Sequence, residues 1–433
     1  MLLKCVSLSG DELLRCSDMT STALVSEVQF RIWQTVRVPV LRQYLEHGGK
    51  RLQPTCTLAA ASVEDGATLT LVTTSFLILT SCAHRIQLWN SEGVCVRSFQ
   101  GHRYDVSHVG CSPDGRVVLS LDDQGILFLW DACSGAALHR IAHSTGETRN
   151  VDSACFSPSG EHVLTTMHCC CLGYIWNVAT GACTRAFMEP YEGPFLDAPY
   201  SQSVRFSPNS ACVLSVDRSS SSKVRRNIKF YEIETGKCSR EFESGNGEIT
   251  CVAFSSDGLF MLTGAGGVVD IWDLQIGECV QECGGHSGDV RSAAFSPDGA
   301  LVLTAGDDGV AMISSRTTGA TILEIDCSSV DVADGERDDE DLTMDVGLLS
   351  AAFSPDGLYV LTESEHGCTQ VWCASTGDLL KTLADEGCYG AEFSYNSAWL
   401  LTCDKGRANV WDIMSRECIL KVGCSIAHAA FSP

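Results

Sequence analysis

One unit recurs from residue 74 to residue 433 of this chain: an apolar strand running into Phe-Ser-Pro-Asp-Gly, a second strand ending near Leu-Thr, a third ending in Trp-Asp, then a Thr-Gly turn. The third strands end at Trp89, Trp130, Trp176, Tyr231, Trp272, Ser314, Trp372 and Trp411, so eight units share 360 residues at 45 residues each. A unit of this length cannot bury its own apolar face and must stack on its neighbours. The turn after the first strand reads Ser112-Pro113-Asp114-Gly115, Ser157-Pro158-Ser159-Gly160, Ser296-Pro297-Asp298-Gly299 and Ser354-Pro355-Asp356-Gly357. Pro presets φ at the second position, and Gly accepts a geometry that other residues resist.

Two units also carry Gly-His pairs, Gly101-His102 and Gly285-His286, ahead of Asp105-Val106 and Asp289-Val290. On these motifs in register, residues 74–433 resemble the WD-repeat family. The resemblance implies a mainly β, eight-bladed β-propeller, with a seven-bladed or truncated ring as the alternative. The order of strands suggests how the ring closes. The first unit starts on its second strand, Phe76 to Ser81, while Ser425 to Pro433 form an isolated first strand ending in Phe431-Ser432-Pro433. Pairing the two leaves no open sheet edge.

Residues 1–73 lack the repeat. Alternation in Leu3-Lys4-Cys5-Val6-Ser7-Leu8, a Ser9-Gly10-Asp11 turn and Leu13-Leu14-Arg15-Cys16 predict a hairpin. Val25, Val28 and Ile32 mark one face of a helix ending before Pro39. With Leu45, Gly48-Gly49-Lys50-Arg51-Leu52, Thr57-Leu58 and the strand Ala67 to Val72, this order resembles ubiquitin and its β-grasp relatives, and implies a small α+β domain. Two departures limit what the resemblance implies. Val72-Thr73-Thr74-Ser75 runs straight into the first repeat, where ubiquitin has a free Gly-Gly tail, so conjugation is not expected. Leu8 and Val72 match two members of ubiquitin's apolar recognition patch, but Glu46 stands where its central isoleucine would be. A carboxylate there costs desolvation unless it is paired.

Apolar residues at 45%, charged residues at 19% and a mean hydropathy of +0.07 are those of a folded chain. The formal charge of −24 makes nucleic acid and anionic membranes poor partners, and favours basic or apolar proteins. No stretch approaches 18 apolar residues and Met1-Leu2-Leu3-Lys4 opens a strand pattern, which points to a cytoplasmic or nuclear setting. The 24 cysteines recur by position. Seven residues beyond the third-strand ends stand Ala137, Cys183, Cys238, Cys279, Thr321, Leu379 and Cys418, a pattern expected of buried thiols acting as small hydrophobes.

Three insertions fall on one face of such a ring, the face of second-to-third turns and blade-to-blade links. Residues 189–202 offer Tyr191, Phe195 and Tyr200 among prolines, as partner anchors or as rings packed on their own propeller. Residues 327–347 carry a net −7 that includes Asp338, Asp339 and Asp341, to steer a basic partner or simply to be solvated. Residues 217–227 are rich in serine and cations. The linker enters from the opposite side, so the small domain is expected there.

No phosphate loop, zinc-protease motif or nucleophile elbow is present, and no cofactor is expected. His102 with Ser120 and Trp130, and His286 with Thr304 and Asp308, read as hydrogen-bond networks inside blades, so no catalytic residue is assigned. His168-Cys169-Cys170-Cys171 lacks a second ligand pair at zinc-finger spacing, and no metal is assigned. The leading function is a non-enzymatic protein-interaction scaffold. Alternatives are an adaptor in the ubiquitin or proteasome pathway, acting through the small domain, and a small-molecule-binding or enzymatic propeller.

Overall fold

A computed structural model describes residues 3–7, 12–17, 19–36, 43–47, 50–52, 56–73, 76–143, 151–167, 172–188, 204–216, 226–244, 249–327, 347–383, 388–404, 406–423 and 426–432. The first part holds β1 (Leu3–Val6), β2 (Glu12–Cys16), α1 (Val25–Val36), β3 (Gln43–His47), β4 (Lys50–Arg51) and β5 (Thr68–Thr73). They form one mixed sheet in the order β2-β1-β5-β3-β4, with β1 parallel to β5. The helix forms because Val25, Val28 and Ile32 share a face, and all three are fully buried against Leu3, Leu45, Leu58 and Leu69. The backbone N–H of Leu24 donates to Glu27 Oε1 at 3.3 Å ahead of the first turn. Sheet and helix fit the small α+β domain read from the sequence. Thr57, grouped there with the strands, makes one isolated bridge to Leu24.

The repeats form eight four-stranded antiparallel sheets. Blade 1 joins Ile426–Phe431 to Leu77–Cys82, Arg85–Asn90 and Cys95–Gln100, and blades 2 to 8 follow in chain order. The closing register runs from Ile426 opposite Cys82 to Phe431 opposite Ile78, the closure expected from the strand order. A separate apolar cluster fills each seam between blades. Ile86, Phe99, Val109 and Phe128 join blades 1 and 2, and Ile78, Val410, Ile426 and Phe431 join blades 8 and 1. No blade therefore faces water on both sides of its sheet.

First strands are innermost, touching one another across seams. Crowding there explains their small residues, such as Ser292-Ala293-Ala294 and Ser350-Ala351-Ala352. The turn that leaves them is locked by its own side chains. Ser354 Oγ donates to Asp356 Oδ1 at 2.6 Å and accepts from Tyr359 N–H at 2.9 Å, while Gly357 sits at φ 75°. Ser112, Ser255 and Ser296 repeat this pattern. Replacing the fully buried Ser354 by alanine takes the acceptor from Tyr359 N–H and one donor from Asp356, whose Oδ1 keeps Leu358 N–H, and chemical denaturation is expected to record a loss of about 1–3 kcal/mol.

The recurrent cysteines are not buried, contrary to the sequence reading. Cys183, Cys238 and Cys279 are exposed and Cys418 is half-exposed. The position seven beyond the third-strand Trp opens the fourth strand, which is the outer edge of the blade. Each of these cysteines faces the Trp or Tyr of the third strand in register, at a bulge. There the thiol donates to a carbonyl two residues on: Cys183 to Arg185 at 3.3 Å, Cys238 to Arg240 at 3.3 Å and Cys279 to Gln281 at 3.5 Å. The recurrence marks an edge bulge, a device that hinders pairing with other chains.

The small domain meets the propeller on the side of the short first-to-second turns. Arg116, one residue beyond the turn of blade 2, holds its guanidinium 4.6 Å from the centre of the Phe30 ring on α1.

Candidate functional site

Blade interiors hold the polar groups most suggestive of chemistry. In blade 2, His102 Nδ1 lies 2.8 Å from Asp122 Oδ2 and Nε2 lies 2.7 Å from Ser120 Oγ, which also accepts from Trp130 Nε1–H at 2.8 Å. With Nδ1–H directed at Asp122 Oδ2, Ser120 donates to Nε2. Serine, histidine and aspartate in this order resemble a hydrolase triad, but Ser120 is 0%, Asp122 2% and His102 5% exposed. A substrate cannot reach the hydroxyl, and the arrangement is a strut. Blade 6 repeats it with His286, Asp308 and Thr304, while Ser314 stands in the Trp position.

Two further members escaped the sequence reading. His143 Nε2 lies 2.9 Å from Thr165 Oγ1, which accepts from Trp176 Nε1–H at 3.0 Å, and Nδ1–H donates to Gly125 O at 3.0 Å. Cys327 occupies the same place in blade 7, with Sγ 3.8 Å from Thr362 Oγ1, and burial pushes its thiol up to about 12. The signal was spacing. His102, His143 and Cys327 each follow the preceding third-strand end by 13 residues, with or without a glycine before them.

Alternate residues of the first strands turn toward the ring axis. Two seams there are stitched by carboxylates. Phe431 N–H of the closing strand donates to Glu392 of blade 8, and Ala391 N–H of blade 8 donates to Glu363 of blade 7. Enclosure by protein pushes Glu392 up to about 7. Across the next seam, the rings of His428 and His108 stand 5.6 Å apart, and His428 Nδ1 has no hydrogen-bond partner. Burial, with His108 beside it, holds His428 down to about 4, and burial also lowers His143. Neutral imidazoles are therefore favoured in the fold. Their contribution is whole above the ordinary histidine value and is lost as the pH drops from about 6.5 toward 4. The raised Glu392 acts in the opposite sense over the same window, so the histidine contribution is read as a difference: the thermal midpoint of the parent relative to that of His428→Gln should decline from pH 6.5 toward 4.

The short-turn face exposes Leu358 at 60%, Tyr395 at 66% and Met414 at 80%, the last two in blade 8. The sequence reading favoured the opposite face and passed over them, although an apolar residue inside the turn Ser394-Tyr395-Asn396-Ser397 was a visible cue. Of the residues named as partner contacts, Tyr191, Phe195, Tyr200, Asp338, Asp339, Asp341 and Leu8 lie outside the described residues, as do His168 to Cys171. Val72 pairs with Tyr44 in the register of β5 and β3. The strand ends flanking the three insertions, Met188 and Val204, Val216 and Arg226, and Asp326 and Leu348, lie on one face, as antiparallel blades require. Tyr104 and Leu349, 52% and 51% exposed, share that face. Among the described residues no three His, Cys, Asp or Glu side chains gather as metal ligands, and no helix is long and apolar enough to cross a membrane.

The family model described as "WD domain, G-beta repeat" matches residues 93–131, 236–273 and 277–313. The chain thus carries WD repeats, each match running from the end of one sheet or its outer strand into the next third strand. Autophagy-related protein 16 of Arabidopsis thaliana is similar at 24% identity over 182 residues, 41% of this chain and 32% of that protein. The chain thus spans about a third of the length of that relative.

Proposed function

We propose that this chain, with WD repeats set in a closed ring of eight blades, is a non-enzymatic scaffold that holds protein partners on the face of its inserted segments. One observation carries the reading: three long insertions leave strand ends on a single face of the ring, where Tyr104 and Leu349 are also exposed. A rigid ring needs no chemistry to present such segments, and aromatic side chains among prolines anchor interfaces well. In this reading Tyr191, Phe195 and Tyr200 are the anchors, and Asp338, Asp339 and Asp341 steer a basic partner. The buried state of the His102 network supports a non-enzymatic role.

The test is affinity capture with the full chain. Replacing Tyr191, Phe195 and Tyr200 together by alanine is expected to reduce recovery of specific partners at least about tenfold, since an interface anchor contributes roughly 2 kcal/mol or more. Unchanged recovery with the fold intact removes the reading. A second reading, an adaptor in the ubiquitin or proteasome pathway, is supported by the sheet order β2-β1-β5-β3-β4, which fits the resemblance of residues 1–73 to ubiquitin and its β-grasp relatives. It expects ubiquitin-ligase or proteasome subunits among captured proteins. Their absence from capture with the full chain counts against it.

A further inference from the structure

Two histidines hold the same position on neighbouring first strands. His428 stands three residues before Phe431 in blade 1, and His108 three before Cys111, which takes the place of that Phe in blade 2. Both side chains are half-buried on the innermost strands, and their rings stand 5.6 Å apart with planes 34° from parallel. The other blades carry Ser153, Ser203, Cys251, Ser292, Ser350 and Gly390 there, so the pair is confined to the seam of blades 1 and 2.

The surroundings are those of a ligand set. His428 Nδ1 is shut off from water with no hydrogen-bond partner, a cost that a bound group would remove. Nδ1 of His108 lies 3.2 Å from Ser107 Oγ, the kind of contact at one nitrogen that orients an imidazole for ligation through the other. Asp123 lies within electrostatic reach of His108, and Asp105 within reach of Asp123, which favours a cation. There is also room. Gly110, two residues past His108, and Gly390, at the histidine position of blade 8, have no atom within 4 Å of where a side chain would begin. Two imidazoles sharing a metal at about 2.0–2.1 Å from each nitrogen set their ring centres roughly 4.5–5.6 Å apart, for angles of about 90–120° at the metal. The observed spacing meets the upper end of that range.

We propose that His108 and His428 form a two-histidine site on the inner wall of the ring for a divalent transition cation of the copper and zinc class, with water at its remaining positions. Imidazole suits these cations, whereas magnesium and calcium require oxygen donors. Within the class, copper(II) binds a given nitrogen set most tightly. The cation bridges the seam where the ring closes, because His428 belongs to the closing strand Ile426–Phe431 and His108 to the first strand of blade 2.

The test uses the full chain with its accessible thiols alkylated by iodoacetamide, so that they neither ligate nor reduce the probe, copper(II). Electron paramagnetic resonance at one equivalent of copper is expected to show coupling to two imidazole nitrogens. His108→Ala and His428→Ala should each abolish that signal and weaken copper binding at least about tenfold. Near-UV circular dichroism of the copper-free variants confirms that each is folded, and if one is not, the other decides. The proposal is overturned if the parent gives no two-imidazole signal, or if a folded variant keeps the signal or binds copper as the parent does.

Discussion

Replacing Phe431 by alanine is expected to cost about 3–5 kcal/mol and to make unfolding less cooperative. Phe431 is 6% exposed, meets the Phe76 ring edge-on at 6.0 Å, and belongs to the cluster joining blades 8 and 1. Its N–H bonds Glu392, and next to it Ser432 N–H bonds Leu77 O at 2.9 Å. Phe295 holds the equivalent place in blade 6, but there the strand is tied to its partner by a five-residue turn. Phe295→Ala should therefore lower the denaturation midpoint without changing the slope. Phe431→Ala should lower both and raise aggregation, because a loosened closing strand uncovers the edge of Leu77–Cys82. Equal behaviour of the two variants would mean that closure adds nothing beyond local packing.

Trp130→Ala is expected to be nearly as damaging, again about 3–5 kcal/mol by chemical denaturation. The side chain is 1% exposed, stacks on Phe128 at 4.8 Å, lies 5.9 Å from Phe99 and caps Ser120. Removing it opens a cavity at the seam of blades 1 and 2 and strips one partner from a buried network. Trp130→Phe should cost less, retaining most of the packing and losing the indole bond. Trp411, only partly buried and bonded to Thr402 at 3.0 Å, should tolerate alanine better. A smaller loss at Trp130 than at Trp411 would contradict the reading of the His102 network as a strut.

The ring itself was legible because its signals are local and repeated. A turn such as Ser354-Pro355-Asp356-Gly357 is written in four adjacent residues, and the structure locks it with those same side chains. Closure was legible too, since Ser425 to Pro433 read as a first strand without a blade and the first unit as a blade without a first strand, and the structure pairs the two. Burial of the recurrent cysteines was misread because sequence position gives the strand but not the side of the blade that faces water. Cys183 and Cys279 lie on outer edges, where bulges rather than packing select the residue. His143 was missed because the reading followed a glycine-histidine pair when the geometry needs only a ring at a set distance from the previous tryptophan. Contacts between modules, such as Arg116 over Phe30, join residues 86 positions apart and leave no trace in local pattern.

The closing strand also sets a timetable for synthesis. Its His428 bonds Ser81, 347 residues earlier, whereas blades 2 to 8 each form from neighbouring residues. At roughly 5–20 residues per second on the ribosome, about 17–70 s separate the appearance of Leu77–Cys82 from that of its final partner. Throughout that interval seven blades can assemble in order while the eighth waits with three strands and one bare side. The newborn chain is thus a ratchet with a single late latch, and a released chain cut after residue 423, which lacks only the closing strand, should be protease-sensitive first at blade 1.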